Sequence, residues 1–162
     1  MALGGCVWHL AGMRAMSCLT DVGSAAARVN ILMSKMQRNK GSQFERWCCN
    51  EIKDHLGYEN VRRNLSQYQE KGGADILIPH WSIECKRYAS GPVGGSDAMW
   101  AQAVDSAALH KLLPCLIVKY DRQDPTCRLL LSSVNPEFTG SDATVLVSLP
   151  TWFYIVREAI PF

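Results

Sequence analysis

Apolar residues recur with helical spacing in the segment that follows Gly41. They are Phe44, Cys48, Ile52 and Leu56. A repeat of four residues places them on one face, which predicts an amphipathic helix. Ser42 and Glu45 have the spacing of a capping box at its start, and Gly57 is a typical C-terminal stop. The pattern therefore predicts a helix from about 42 to 56 with one buried face.

Beyond this helix, short apolar runs alternate with turn residues. The pattern predicts a strand at 60–65, a hairpin with strands at 74–78 and 81–88, a helix at 97–112 that ends before Pro114, strands at 115–120 and 128–134, an edge strand or lead-in at 145–149, and a last helix that starts at Pro150. Helices and strands mixed in this order are typical of α/β proteins. We therefore expect a mixed central β-sheet flanked by helices on both faces.

The first 32 residues lack this pattern, although they are rich in apolar side chains. They have no basic start and Arg14 interrupts them, so a secretory signal is not expected. Two interpretations stay open: a loosely attached helical extension, or sequence upstream of a natural start, since Met33 and Met36 directly precede a basic segment. We predict an N-terminal extension at 1–35 and one patterned domain at 36–162.

The predicted hairpin carries charged residues among apolar ones, and its register decides where they lie. A two-residue turn at 79–80 places Asp75 directly opposite Glu84, whereas a three-residue loop would shift the pairing by one. Side chains alternate along a strand, so Lys86 shares the face of Glu84. Opposed Cβ atoms lie about 4.5–5.5 Å apart, and two carboxylates there repel each other unless a cation lies between them. The register therefore predicts a cluster of two carboxylates and one amine.

Two interpretations of this cluster are open. Mg²⁺ prefers oxygen ligands and is typically held by one or two carboxylates with waters and substrate phosphates. A lysine beside it would orient or deprotonate a water, or neutralise charge that develops on a phosphate. The alternative is a surface ion pair of Lys86 with Asp75 or Glu84 on a solvated sheet face. The apolar strands and the closely opposed acids favour the cation site.

Charge and cysteine content narrow the classes of protein. The formal net charge is only +2, but ten basic residues fall between Lys35 and Arg87. This clustering is typical of a phosphate-contacting face and equally of a solvated basic surface. The seven cysteines have no zinc-ligand spacing, which favours reduced, buried thiols in a cytosolic compartment. No apolar run is long enough to span a bilayer, so no membrane partner is expected.

The pattern D-x(8)-E-x-K across two strands, after a helix that bears a glutamate, resembles the PD-(D/E)xK nuclease superfamily. Ala74 stands where the superfamily name has proline. KGSQFER at 40–46 is similar to the opening helix of archaeal-type Holliday junction resolvases, and GYENVRRN at 57–64 to their first strand. IECKRY followed by WAQA looks more like phage-borne members. The resemblance covers roughly 40–133 and implies a restriction-endonuclease-like fold.

This resemblance implies roles for individual residues. Asp75, Glu84 and the backbone carbonyl of Cys85 would bind the metal ion, and Glu45 would reach it directly or through water. Lys86 would be the catalytic lysine, and Gln102 would support it or touch DNA. The expected catalytic residues are Lys86, Glu84, Asp75, Glu45 and Gln102, and the expected DNA contacts are Arg46, Arg62, Arg63, Arg87 and Lys40.

Several of these residues have a purely structural interpretation as well. Glu45 is also explained by the capping box, and Gln102 by an exposed position on its helix. Arg62 and Arg63 alternate, so only one of them is expected to face the site; spacing from Gly57 favours Arg62. His80 is interpreted as a turn residue.

We therefore expect a Mg²⁺-dependent DNA endonuclease, in which Mn²⁺ can replace Mg²⁺, that acts on branched DNA in recombination or repair. The resemblance implies a homodimer, and a bacterial or phage-infected cytoplasm. The alternatives are another PD-(D/E)xK nuclease of restriction or repair type on linear duplex, a catalytically silent DNA-binding module, and a purely structural domain. The intact set of Asp75, Glu84 and Lys86 argues against the last two.

Overall fold

The computed structural model describes residues 22–65, 73–135, 137–140 and 142–158. It divides into two compact units, Met1–Met36 and Gln37–Phe162. The described part of the first unit is helical, and its side chains Ile31, Leu32 and Met33 are exposed. The domain boundary proposed from the sequence stays a prediction, and residues 1–21 lie outside the described residues.

The elements come in the order helix, hairpin, helix, three strands and helix. They are α1 (Val22–Leu56), β1 (Ile76–Ile78), β2 (Trp81–Tyr88), α2 (Asp97–His110), β3 (Leu113–Tyr120), β4 (Thr126–Leu130), a 3₁₀ turn (Leu131–Ser133), β5 (Thr144–Ser148) and α3 (Leu149–Glu158). The strands form one sheet in the order β1-β2-β3-β4-β5. Only β2 and β3 are parallel, and the other neighbours are antiparallel. The predicted mixed α/β sheet is therefore confirmed.

Helices cover both faces of the sheet. On one face, α1 and α3 pack on the residues of β2 and β3 that include Ile83 and Ile117, and Trp152 meets the ring of Trp81 edge-on at 5.9 Å. On the other face, Ala103 of α2 packs on the intervening residues of β3. They are Leu116, Val118 and Tyr120. Because successive side chains of a strand point to opposite faces, one strand supplies both layers.

The cysteines belong to the first of these layers. The described ones are Cys48, Cys49, Cys85, Cys115 and Cys127, and all of them are free and buried. They serve as small hydrophobic side chains, as the sequence predicted. No described helix combines the length and apolar character needed to cross a membrane.

The predicted start of the first helix is wrong, because α1 already includes the residues before Ser42. The Ser42 hydroxyl donates to the carbonyl of Asn39 at 3.2 Å, as serines inside helices do, and does not cap. The predicted strand at 60–65 is also absent. Only Arg63 forms an isolated bridge, to Ile76, because β1 is three residues long and offers little length to pair with.

Three further boundaries differ from the sequence prediction. Helix α2 ends at a left-handed Lys111, whose N–H caps two carbonyls, and Pro114 lies near the start of β3, where its missing donor is tolerated. Strand β4 begins and ends earlier than predicted, because the chain turns into the 3₁₀ segment after Leu130. The segment at 144–148 is an edge strand paired with β4, which decides the alternative left open.

Candidate active site

The hairpin register places the two carboxylates. Ile76 pairs with Ile83, Leu77 with Ser82 and Ile78 with Trp81, which confirms the predicted pairing. One step further along this register, Asp75 lies across from Glu84. The backbone N–H of Cys85 donates to Asp75 Oδ2 at 2.8 Å. Asp75 is 6% exposed and Glu84 only 3%, so the pair is held in a largely desolvated position.

A tight set of hydrogen bonds surrounds Glu84. Its Oε1 atom accepts from Lys86 Nζ at 2.7 Å and from Gln102 Nε2 at 2.8 Å. Lys86 Nζ also donates to Gln102 Oε1 at 3.0 Å, so the three side chains form a closed triangle. Helix α2 supplies Gln102, and β2 supplies the other two. Oε2 of Glu84 is buried and has no hydrogen-bond partner among the described residues.

Electrostatics at this cluster are governed by burial. Burial raises the pKa of Asp75 to about 7, and the neighbouring Glu84 carboxylate adds to this rise. Burial alone would lower the pKa of Lys86, but its hydrogen bond to Glu84 and the charges of both carboxylates outweigh it, so that pKa lies above its usual value. Lys86 is therefore a charged donor at neutral pH, and the carboxyl group of Asp75 beside it resists ionisation.

Glu45 is paired with an arginine. Its Oε2 atom accepts from Nε of Arg63, and both side chains are largely buried. The charge of Glu45 contributes to the raised pKa of Asp75, and the N–H of Asn64 donates to the Asp75 carbonyl at 2.7 Å. The arginine that lies at Glu45 is therefore Arg63, the neighbouring candidate, and DNA contact by Arg62 or Arg63 stays a prediction.

Arg62 lies with Arg46 at a cavity that Arg63 also lines. Both are exposed and line a cavity of about 380 Å³ with Lys53 and Arg63. The remaining lining residues, Cys49, Asn50, Val61 and Leu65, carry no charge. Sequence reasoning placed Lys53 in the basic cluster but not at a site. The signal was present, because 46, 50 and 53 are spaced to share one helix face.

The two other residues that were predicted to contact DNA, Arg87 and Lys40, both pair with the carboxylate of Asp121. Arg87 Nη2 lies 2.8 Å from Asp121 Oδ1, and Lys40 Nζ lies 3.8 Å from Asp121 Oδ2. The hydrogen bond from Arg87 and the charge of Lys40 hold the pKa of Asp121 below its ordinary value. The sequence did not indicate this acid as a partner, since it follows a strand that is far along the chain from Lys40 and Arg87. DNA contact by Arg87 and Lys40 stays a prediction.

The residues present fit a divalent cation in part. Within the described segments, no group of three or more His, Cys, Asp or Glu side chains is arranged to hold a metal ion. The fit rests instead on Asp75 and Glu84, since a cation would relieve the repulsion that raises the Asp75 pKa and would use the unpartnered Oε2 of Glu84. Glu45 pairs with Arg63 through Oε2, so this oxygen is already used by an ion pair.

A sequence model of the family described as "Phage putative PDDEXK endonuclease" matches residues 36–145, which is more than half of the chain. No curated protein matches. Among solved structures, the Holliday junction resolvase Hjc of the archaeal hyperthermophile Archaeoglobus fulgidus is similar with a TM-score of 0.43 and 16% sequence identity. The match covers 67% of this chain and 86% of the resolvase.

Proposed function

Because the chain belongs to the family of phage PDDEXK endonucleases, we propose that it is a Mg²⁺-dependent endonuclease that hydrolyses phosphodiester bonds of branched DNA. The observation that carries the proposal is the arrangement around Glu84, where two buried carboxylates, a charged lysine and a glutamine meet. The alternative is an exposed ion pair on the sheet surface, which contributes little to stability. Such a pair would not explain why both Asp75 and Glu84 are buried.

Each side chain of the cluster has a role in this proposal. Asp75 and Glu84 would hold the cation, with the Cys85 carbonyl as a further oxygen. A bound Mg²⁺ supplies Lewis-acid stabilisation of the phosphate oxygens. The raised pKa of Lys86 favours a donor that neutralises charge developing on the phosphate, rather than a base that deprotonates water. Gln102 holds Lys86 and Glu84 in one orientation.

The cations around this cluster suit a DNA backbone. Arg63 lies at the carboxylates, and a substrate phosphate would compete with Glu45 for its guanidinium. If the phosphate takes Arg63, Glu45 is released toward the metal site. Arg46, Arg62 and Lys53 surround their cavity without an acid among its lining residues, which favours an anionic neighbour. Arg87 and Lys40 would contact phosphates only where these outcompete Asp121.

Three further parts of the proposal concern the DNA substrate, the oligomeric state and the cellular location. Preference for branched DNA rests on the resemblance of the 40–46 segment to the opening helix of resolvases. A homodimer follows from that preference, because cutting two strands of a junction symmetrically requires two sites. The reaction would take place in the cytoplasm of a bacterial or phage-infected cell, in recombination or repair.

The test is cleavage of three labelled substrates: a four-way junction, a nicked duplex and a plain duplex. Each is incubated with Mg²⁺, with Mn²⁺ and with EDTA. We expect symmetric cuts in the junction with either ion and none with EDTA. Equal cutting of all three substrates would point to a nuclease of linear duplex, and tight binding without any cutting would point to a silent DNA-binding module.

A further inference from the structure

The cavity beside α1 combines positive charge with apolar walls. Its volume of about 380 Å³ lies in the range of pockets that take small molecules. Four of its described lining residues are cations, and none is an acid. The cations are Arg46, Lys53, Arg62 and Arg63. We refer to this space as the basic cavity.

The cations come from two walls of the basic cavity. Arg46 and Lys53 belong to α1 and are seven residues apart, or about two helical turns, so they share one helix face. Arg62 and Arg63 belong to the segment that crosses to β1. A nucleotide within a strand has one phosphate on each side of its sugar. Cations on two walls therefore suit a nucleotide better than a single phosphate.

The neutral part of the lining is mostly apolar. Val61 is 6% exposed and Cys49 is 5% exposed, and Leu65 adds a third apolar side chain. Burial raises the pKa of the Cys49 thiol to about 11, so this group carries no charge at neutral pH. Phosphate contacts are made by cations and polar donors and need no apolar lining. The apolar side chains therefore suit the face of a nucleobase.

Asn50 brings an amide group to the same cavity. It lies between Arg46 and Lys53 along α1, at an exposed position. An amide offers both a donor and an acceptor, which is the pattern that pairs with N6 and N7 of adenine. Arginine guanidinium planes also stack on unpaired bases. The basic cavity therefore offers a hydrogen-bonding group for a base edge as well as stacking surfaces.

We propose that the basic cavity binds one unpaired nucleotide of a DNA strand, with its base against the apolar lining and Asn50 and its flanking phosphates at the cations. A paired base would first have to leave its duplex, whereas a bulged base is already unpaired. Arg63 connects the cavity to the candidate active site, since it also bonds Glu45. The use of this nucleotide to place a branch point for cutting rests on the proposed function; its binding is testable without cleavage.

The test is DNA binding by the full chain, measured by fluorescence anisotropy in EDTA so that no strand is cut. Three duplexes of equal sequence are compared: one with a single-adenine bulge, one with an abasic bulge that keeps the extra phosphate, and one fully paired. We expect the adenine bulge to bind about tenfold more tightly than the other two, as is typical for one base that stacks on a protein. Equal affinities for the adenine and abasic bulges would overturn the proposal.

A matched pair of asparagine variants tests the base contact. Asn50→Ala should lower the affinity for the adenine bulge by about fivefold and leave that for the abasic bulge unchanged, because it removes a contact to the base alone. Asn60→Ala is the control, since this asparagine is also exposed but does not line the basic cavity. An equal loss of affinity for all three duplexes in Asn50→Ala would contradict the proposal.

A lysine variant tests the phosphate contact. Lys53→Met keeps an unbranched side chain and removes the charge. It should weaken binding of the adenine and abasic bulges by the same factor, and the salt dependence of log affinity should fall by about one charge. A loss confined to the adenine bulge would contradict the assignment of the cations to phosphates.

Cleavage separates this proposal from the proposed function. A protein that prefers the adenine bulge but cuts no DNA with Mg²⁺ or Mn²⁺ would refute the nuclease and leave the nucleotide site standing. A protein that cuts the four-way junction but binds the adenine and abasic bulges equally would refute the nucleotide site alone.

Discussion

The two faces of β2 differ in what they bury. Toward α1 and α3 the strand presents Trp81, Ile83 and Cys85, which pack in an apolar layer. Toward α2 it presents Ser82, Glu84 and Lys86, and a hydrogen bond joins the last two. One strand therefore contributes both to the apolar core and to the candidate site, because successive side chains of a strand point to opposite faces of the sheet. Changes on the two faces should therefore affect different properties.

The largest effect is expected on the polar face. Asp75→Asn removes one negative charge from the proposed cation site while keeping the size of the side chain. Cleavage of a four-way junction with Mg²⁺ should fall by about a hundredfold or more, as for other groups that stabilise transition-state charge. DNA binding, measured by anisotropy at the same salt concentration, should change little. Retained cleavage would sink the proposed metal site.

The next effect is expected on the apolar face. Ile83 is fully buried, and Ile83→Ala should lower the free energy of unfolding by about 2–4 kcal/mol through lost burial and the cavity left behind. Urea unfolding followed by circular dichroism measures it. The adjacent Glu84→Gln variant is the comparison, and it should abolish cleavage with a much smaller loss of stability. Similar decreases in the free energy of unfolding in both variants would contradict the expectation that the apolar face determines stability and the polar face determines cleavage.

The buried acids predict a dependence of stability on pH. The folded pKa of Asp75 is about 7 and its ordinary value is 3.8, so the folded state binds the proton more tightly between these values. The free energy of unfolding should therefore fall as pH rises from about 4 to about 7, by about 3 kcal/mol for this group. Urea unfolding of the metal-free protein across this range, compared with Asp75→Asn, isolates the contribution.

Two outcomes decide this prediction. The wild-type protein should lose stability relative to Asp75→Asn as the pH rises, and added Mg²⁺ should restore part of the loss at pH 7. Parallel pH profiles of the two proteins would show that Asp75 titrates normally in the fold. Asp121, whose pKa is lowered, contributes in the opposite direction but equally to both proteins.

The smallest effect is expected at the helix that covers the polar face. Gln102→Ala removes two hydrogen bonds of the triangle and should lower kcat by about tenfold, since it frees Lys86 and Glu84 to reorient. The free energy of unfolding should change by less than about 1 kcal/mol, because Gln102 lies at an exposed position of α2. Asp105→Ala, at an exposed position of the same helix, is the control and should leave both quantities unchanged.

Local features of this protein were predictable from its sequence because they depend on neighbours along the chain. The turn at 79–80 fixes the register of its own hairpin, and alternation then assigns Glu84 and Lys86 to one face and Ile83 to the other. The amphipathic pattern predicted the buried faces of α1 and α3 in the same way. Prediction failed locally at Ser42, where a capping-box pattern lies inside a helix that continues through it, and at 60–65, where no strand forms.

Only the tertiary structure decided which distant residues meet. Spacing could not choose between Arg62 and Arg63, since the choice depends on how 61–65 crosses β1 and approaches Glu45. The pairing of Asp121 with Arg87 and Lys40 likewise depends on how the elements pack. The sequence by itself determined the chemistry available on each element. The packing of elements far apart in the chain determined which groups became partners. The reason is that the free energy of contacts between such elements exceeds the conformational preference of any local segment.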